Sequence, residues 1–235
     1  MLDIMNSMHL GGLSRRTNII LTLVVMSLVS FGFLGVSIVH NRSLADTYLG
    51  WNLLLAWLPV ILAFAIVSSL EKYPWLSWRP LVLTMVWVAL LPNSFYLISD
   101  LIHLPEVLSQ NLIYDSAMFE LFILNGLALG CFSLFLIHRE LSKRINNISA
   151  LALVLFTLLL CSFAIYLGRD LRWSSWDLLS NPAGILFDIA NPLVSPSHHF
   201  DAYTTTLIFF PLLSTIYCGA WRLSFIITPK TKQKS

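Results

Sequence analysis

Six long apolar segments constrain the fold of this chain more than any other feature. A helix needs about 20 mostly apolar residues to cross a hydrocarbon core of roughly 30 Å, and each segment has about that length. The segments are residues 19–39, 49–69, 81–99, 117–138, 150–168 and 204–227. None alternates apolar and polar residues as the strands of a membrane barrel do. The sequence therefore predicts an all-α membrane protein, a bundle of six transmembrane helices.

The composition supports one membrane domain with short flanks. Hydrophobic residues make up 57% of the chain and charged residues 11%, whereas an average soluble domain has roughly 25% charged residues. These values exclude a disordered chain, a nucleic-acid-binding domain and an ordinary soluble enzyme. We expect a cytoplasmic segment at 1–18, a six-helix domain at 19–227 and a basic cytoplasmic tail at 228–235. The first apolar run exceeds the ~7–15 residues of a cleaved signal peptide, so we expect an uncleaved helix there.

The basic residues predict the orientation of the bundle. Of the 14 Lys and Arg residues, 11 fall on the side of the N-terminus and 3, Arg42, Arg169 and Arg172, fall on the opposite side. An excess of Lys and Arg marks the cytoplasmic side of a membrane protein. Both termini are therefore predicted to be cytoplasmic, and the long connection between the fifth and sixth spans is predicted to lie on the outer side.

Reporter fusions test this topology. Fusions after Arg144 and at the C-terminus are expected to be cytoplasmic, and fusions after Glu106 and Pro192 are expected to be exported, because the basic residues stay on the cytoplasmic side. Paired alkaline phosphatase and green fluorescent protein reporters measure the two outcomes. Export of the fusion after Arg144 would contradict the predicted orientation.

The long connection, from Arg169 to about Tyr203, contains Asn-Pro pairs that are typical of helix starts, because Asn caps a helix and Pro fits its first position. The pair Asn181-Pro182 predicts a short helix at 182–190 with Ile185, Leu186 and Ile189 on one side. A second helix within 172–179 is a further expectation. Two interpretations remain open for the connection: a lid that lies in the outer interface, or a tether with loose amphipathic turns.

Two prolines and two glycines predict local features of the spans. Pro59 and Pro92 each remove a backbone donor and expose a carbonyl one turn earlier. In a bilayer those carbonyls need partners, either in a packing kink or in a polar pocket. Gly126 and Gly130 form a GxxxG pair that predicts a close helix contact, and we expect that contact to lie within one subunit.

The end of the third span carries polar residues at helical spacing. If the helix resumes after Pro92, one stripe holds Asn93, Tyr96, Asp100 and His103. Asn93 is expected to lie within the membrane, where a polar side chain needs a partner. That partner is either an interhelical hydrogen bond or a polar pocket. Asp100 and His103, at i and i+3, are the candidate acid-base or metal-binding pair.

The residues after the fifth span form a second candidate group. Continued as a helix, one face would hold Arg169, Arg172, Trp173, Trp176 and Asp177. Such residues are either interface anchors or a cationic clamp for a phosphate or carboxylate, with indole rings as walls. On the clamp interpretation, we expect Asp100 or Asp177 within salt-bridge reach of Arg169 or Arg172.

Other outer residues complete the candidate pocket. Asn52 follows Trp51 at the start of the second span, and Asp115 opens the fourth, with Glu120 deeper in that span. A zinc site would need three converging ligands, and no HExxH pattern, phosphate-binding glycine loop or dinucleotide fingerprint occurs. We expect no metal and no cofactor.

At 91–104 and again at 168–177, the chain resembles a bacterial membrane family catalogued as domain of unknown function thirteen-sixty-one. The resemblance takes in Trp51-Asn52 and Tyr114-Asp115 and covers the chain from about Asn41 to the last span. The family usually reads Pro-Asn-Ala-Pro-Tyr at 92–96, where this chain has Ser94 and Phe95, and it often has an aromatic residue at 170 and Asn at 174. The resemblance implies a bacterial inner membrane and supplies no activity.

Three functions remain open at this point. The first is a membrane protein whose outer polar pocket binds a lipid head group or a small anionic ligand. The second is an enzyme that uses Asp100 and His103 for acid-base or metal-assisted chemistry on a lipid-linked substrate. The third is a solute transporter, although such proteins favour internal repeats and midplane polar sites. The expected partner is the lipid bilayer, with no nucleic acid, and the oligomeric state stays open.

Overall fold

The computed structural model describes residues 15–103, 112–173, 177–195 and 199–226, and all regular structure in those ranges is helical. The long helices are α1 (Arg15–Asn41), α2 (Thr47–Ser69), α3 (Trp78–Leu90), α5 (Leu112–Ser142), α6 (Asn147–Arg169) and α9 (Phe200–Ile226). The short helices are α4 (Pro92–Tyr96), a 3-10 helix at Leu97–His103, α7 (Asp177–Ser180) and α8 (Pro182–Val194).

The predicted membrane spans are confirmed in number and position. Within the described ranges, six helical stretches are long and apolar enough to cross a membrane: Arg16–Asn41, Thr47–Ser69, Trp78–Asp100, Leu112–Ser142, Asn147–Arg169 and Phe200–Ser224. The helix α5 is the most buried of them, with 61% of its most apolar stretch inside the bundle. The chain is a multi-pass membrane protein. We call the end predicted to face outward, where α2 begins and α6 ends, the outer end.

Proline divides the third span as expected. The helix α3 stops at Leu90, and Pro92 occupies the first turn of α4, where its missing donor costs nothing. In α2, two carbonyls at and before Pro59 accept side-chain hydrogen bonds: Ser94 Oγ donates to the Ala56 carbonyl at 2.9 Å, and Ser133 Oγ donates to the Pro59 carbonyl at 2.9 Å. These two hydrogen bonds join α2 to α4 and α5 beside the proline.

The GxxxG pair packs α5 against the end of the third span. A Cβ atom on Gly126 would lie 2.5 Å from Leu97 Cδ1 and 2.6 Å from the Ser94 carbonyl oxygen. A Cβ atom on Gly130 would lie 2.7 Å from the Phe95 ring. The close contact lies within one chain, as predicted.

A buried polar group joins three helices near the middle of the bundle. Ser27 Oγ accepts hydrogen bonds from Trp57 Nε1 and Asn125 Nδ2, both at 3.0 Å. It also donates to the Leu23 carbonyl of its own helix at 2.9 Å. Since hydrocarbon offers no hydrogen bonds, these contacts fix the rotation of α1 against α2 and α5.

The opposite end of the bundle is held by charge. Glu140, which is buried, pairs with Lys143 and, at 2.7 Å, with Arg144. The Arg144 guanidinium also donates to the Leu70 carbonyl at 3.4 Å and stacks over the Trp75 ring. These contacts tie the loop after α2 to the end of α5.

Candidate functional site

Two of the predicted site residues meet at the outer end of the third span. Asn52 Nδ2, on α2, donates to Asp100 Oδ2 at 3.2 Å. Asp100 is only 3% exposed, so burial removes most of its hydration. A buried carboxylate needs donors, and Asn52 supplies one of them.

Tyr96 brings this pair next to the end of α6. Its ring lies against Gly168, where a Cβ atom would be 2.9 Å from Tyr96 Cε2. Tyr96 is also within electrostatic range of Asp100, Arg169 and Asp170. The structure therefore brings the polar end of the third span and the polar end of the fifth into one neighbourhood, which we call the outer polar cluster: Asn52, Tyr96, Asp100, Arg169, Asp170 and Thr205.

Arg169 is the cation of the outer polar cluster. Its Nε and Nη2 donate to the two carboxylate oxygens of Asp170 at 3.1 and 3.4 Å, and Nη2 also donates to Thr205 Oγ1 at 3.1 Å. The acid that pairs with Arg169 in the structure is therefore Asp170, the next residue in the chain. A pair between Asp100 or Asp177 and Arg169 or Arg172 stays a prediction.

The predicted single face of five residues does not form, because α6 ends at Arg169. Arg172 has a φ of 57°, in the left-handed region that L residues rarely adopt. Just after it, the Trp173 N–H donates back to the Leu167 carbonyl at 3.1 Å. Arg172 therefore lies beyond the helix that holds Arg169, and the interpretation of two arginines on one helical stripe is wrong.

Trp173 packs under α8 and also forms a hydrogen bond to it. Its Nε1 donates to Asp188 Oδ2 at 2.7 Å, and its ring meets Gly184, where a Cβ atom would be 2.8 Å from Trp173 Cη2. The Gly184 N–H donates to the Asn181 side chain at 3.1 Å, which confirms the predicted Asn-Pro helix start. Pro192 lies inside α8, so the helix runs beyond the predicted 182–190.

Asp115 belongs to a second polar group at the outer end. It is buried and lies within electrostatic range of Asp46 and His40. Asp46 is also buried and accepts a hydrogen bond from Ser37 Oγ at 3.4 Å. Burial, as the larger effect, raises the pKa of Asp46 above its ordinary value, and the Ser37 hydrogen bond partly offsets that rise.

The remaining predicted residues are less informative. Asn93 is half-buried on α4, and Asp177, on α7, accepts a hydrogen bond from Ser180 Oγ at 3.2 Å. The side chain of His103 and the whole of Trp176 lie outside the described residues. Within the described residues, no three His, Cys, Asp or Glu side chains converge as metal ligands would.

Sequence reasoning missed Asp170, Thr205 and Asp188 as partners. Asp170 directly follows Arg169, so local spacing offered a weak indication of that pair. Asp188 is 15 residues from its partner Trp173. Thr205 is 36 residues from Arg169, and no local pattern connects the two.

One comparison with known proteins gives a match. The model of a family described as a protein of unknown function, DUF1361, matches residues 51–218, which is more than half of the chain. The chain belongs to the DUF1361 family. The DUF1361 match contains the whole outer polar cluster, while α1 precedes it. No curated protein and no solved structure matches the chain.

Proposed function

We propose that this protein lies in the bacterial inner membrane and binds a phospholipid head group at its outer polar cluster. The head group that fits is zwitterionic, with its phosphate beside Arg169 and its ammonium beside Asp170. The observation that carries the proposal is the Arg169–Asp170 pair, whose side chains are 29% and 28% exposed where a membrane-spanning helix ends. A guanidinium and a carboxylate side by side complement a phosphate and an ammonium.

The donors of Arg169 support a phosphate beside it. A guanidinium has five N–H groups, and the contacts described for Arg169 use Nε and Nη2. The two N–H groups of Nη1 point to a capacity for a further acceptor. Arginine is well suited to phosphate because its planar fork matches two oxygens at once.

The charge balance supports a zwitterion over a purely anionic ligand. Arg169 lies with two acids, Asp100 and Asp170, within electrostatic range of Tyr96. A ligand that carried only negative charge would meet more acid than base there, whereas an ammonium group would be attracted to Asp170. The level of Arg169, the last residue of α6, also matches the head-group region of a bilayer.

Native mass spectrometry of purified protein tests the proposal. We expect delipidated wild-type protein to take up phosphatidylethanolamine in preference to phosphatidylglycerol. Arg169→Gln is expected to reduce the bound phosphatidylethanolamine severalfold, because the phosphate loses its guanidinium. Arg172→Gln is the matched control, since that arginine is exposed and three residues away, and it is expected to bind as wild type does.

Two outcomes would contradict the proposal. Equal lipid retention by Arg169→Gln, Arg172→Gln and the wild type would show that the Arg169–Asp170 pair is not the site. Saturable binding of soluble glycerophosphoethanolamine, with no preference among intact lipids, would assign the site to a free ligand rather than to a lipid.

An enzyme is the second candidate, and the buried Asp100 held by Asn52 favours it. On that hypothesis Asp100 acts with His103 on a lipid-linked substrate. The same mass spectra would then show lipid converted to a product of different mass, lost in Asp100→Asn. Glu120→Gln is the matched control, because Glu120 is exposed on α5. Bound lipid of unchanged mass supports binding alone.

A further inference from the structure

The helix α8 has two apolar faces, and among the described residues only one of them is covered by the bundle. Ile185 is buried, and Ile189 packs with Trp173 against a small core of Tyr166, Leu167 and Ala202. On the other side, Leu186 and Phe187 are 65% and 66% exposed. An exposed apolar face of this kind indicates a contact with another apolar body.

The charge of α8 is already used within the protein. Asp188 is its one charged residue, and that carboxylate accepts the Trp173 indole N–H at 2.7 Å. The exposed face therefore offers water no charged group. Val194, the last residue of α8, and Phe200, the first residue of α9, are also apolar and are 79% and 74% exposed.

Contacts with neighbouring helices place α8 at the depth of the lipid interface. The core that receives Ile189 includes Tyr166 and, packed against it, Phe163. These residues precede the end of α6 by about 4.5 and 9 Å along its axis. Interfacial helices bury their apolar face about 5–10 Å into the boundary between head groups and acyl chains.

The far end of α8 is fixed to a membrane-spanning helix. Tyr203 Oη, in the first turn of α9, donates to the Pro192 carbonyl at 2.7 Å. Farther along α9, Leu207 and Ile208 are also exposed, and this helix is one of the six that can cross a membrane. The exposed side chains of α8 are thus continuous with a surface that faces lipid.

We infer that α8 lies in the outer leaflet of the membrane, with Leu186 and Phe187 inserted among the acyl chains. The occupant of its exposed face is bilayer lipid, and Asn181 and Tyr203 hold the two ends of the helix in that position. This inference does not depend on the proposed head-group site, because a helix can lie in the leaflet with or without a bound ligand.

Spin labels on single cysteines test the position of α8. The test uses a full chain in which Cys131, Cys161 and Cys218 are replaced by alanine. A nitroxide is attached to either Phe187→Cys or Leu186→Cys, and the labelled protein is reconstituted into phosphatidylethanolamine–phosphatidylglycerol vesicles. Leu207→Cys on α9 is the lipid-facing control. Ser180→Cys, at an exposed polar position before α8, is the water-facing control.

Labels at 186 and 187 are expected to collide preferentially with oxygen, as the label at 207 does. Their accessibility to a water-soluble nickel complex is expected to be severalfold lower than that of the label at 180. Nickel accessibility equal to that at 180 would overturn the inference, because the face would then point to water. Low accessibility to both agents, with spin–spin broadening, would also overturn it and assign the face to a second copy of the chain. Agreement between two exposed label sites guards against a label that disturbs the fold.

Discussion

Gly126→Ala is expected to destabilise the bundle by about 1–3 kcal/mol. The added methyl group would lie 2.6 Å from the Ser94 carbonyl oxygen and 2.5 Å from Leu97 Cδ1. The carbonyl is backbone and cannot rotate away, so α5 and α4 must separate. That separation also disturbs the Ser94 hydrogen bond to the Ala56 carbonyl. The free energy of unfolding in mixed detergent micelles measures the loss.

Gly219→Ala is the control for this substitution. Gly219 lies within α9, and no atom of the described part of the chain lies within 4 Å of the position where its Cβ atom would be. Alanine is the better helix former by about 1 kcal/mol, so this variant is expected to be neutral or slightly more stable. A loss of stability in Gly219→Ala that equals the loss in Gly126→Ala would show that the close contact is not the cause.

Ser133→Ala is expected to have the second large effect, a loss of about 1–3 kcal/mol. Its hydroxyl accepts from Trp87 Nε1 at 2.7 Å and donates to the Pro59 carbonyl at 2.9 Å. Trp87 and Ser133 are both buried. Removal of the hydroxyl leaves the buried indole N–H of Trp87 without an acceptor and takes the side-chain donor from the Pro59 carbonyl. The same unfolding measurement applies, with tryptophan fluorescence as a second readout.

Ser162→Ala separates the hydrogen bonds of Ser133 from the mere loss of a buried hydroxyl. Ser162 is also 0% exposed, but its hydroxyl donates to the Leu158 carbonyl of its own helix at 2.8 Å. That carbonyl keeps its helical backbone partner after the substitution. A change within about 0.5 kcal/mol is therefore expected. Equal losses in the two serine variants would refute the explanation given for Ser133.

Features that depend on residues close together in the chain were predictable. The length of each apolar run defined a membrane span, because bilayer thickness sets the length of a helix. Asn181-Pro182 marked the start of α8, because capping involves only neighbouring residues. Gly126 and Gly130 marked a close contact, because only glycine lets another helix approach its backbone so nearly.

Features that depend on the packing of distant segments were decided by the tertiary structure. Asn52 meets Asp100 across 48 residues, and Arg169 meets Thr205 across 36. Such pairs require a particular rotation and axial offset of each helix, and the apolar face that a span turns to lipid does not fix either quantity. The left-handed residue Arg172 ends the turn after α6, so the helical stripe expected there cannot form. The local sequence pattern thus determined which helices exist and roughly where they end. Interhelical packing determined which polar side chains meet, because a desolvated polar group must bind whichever partner the assembled bundle places beside it.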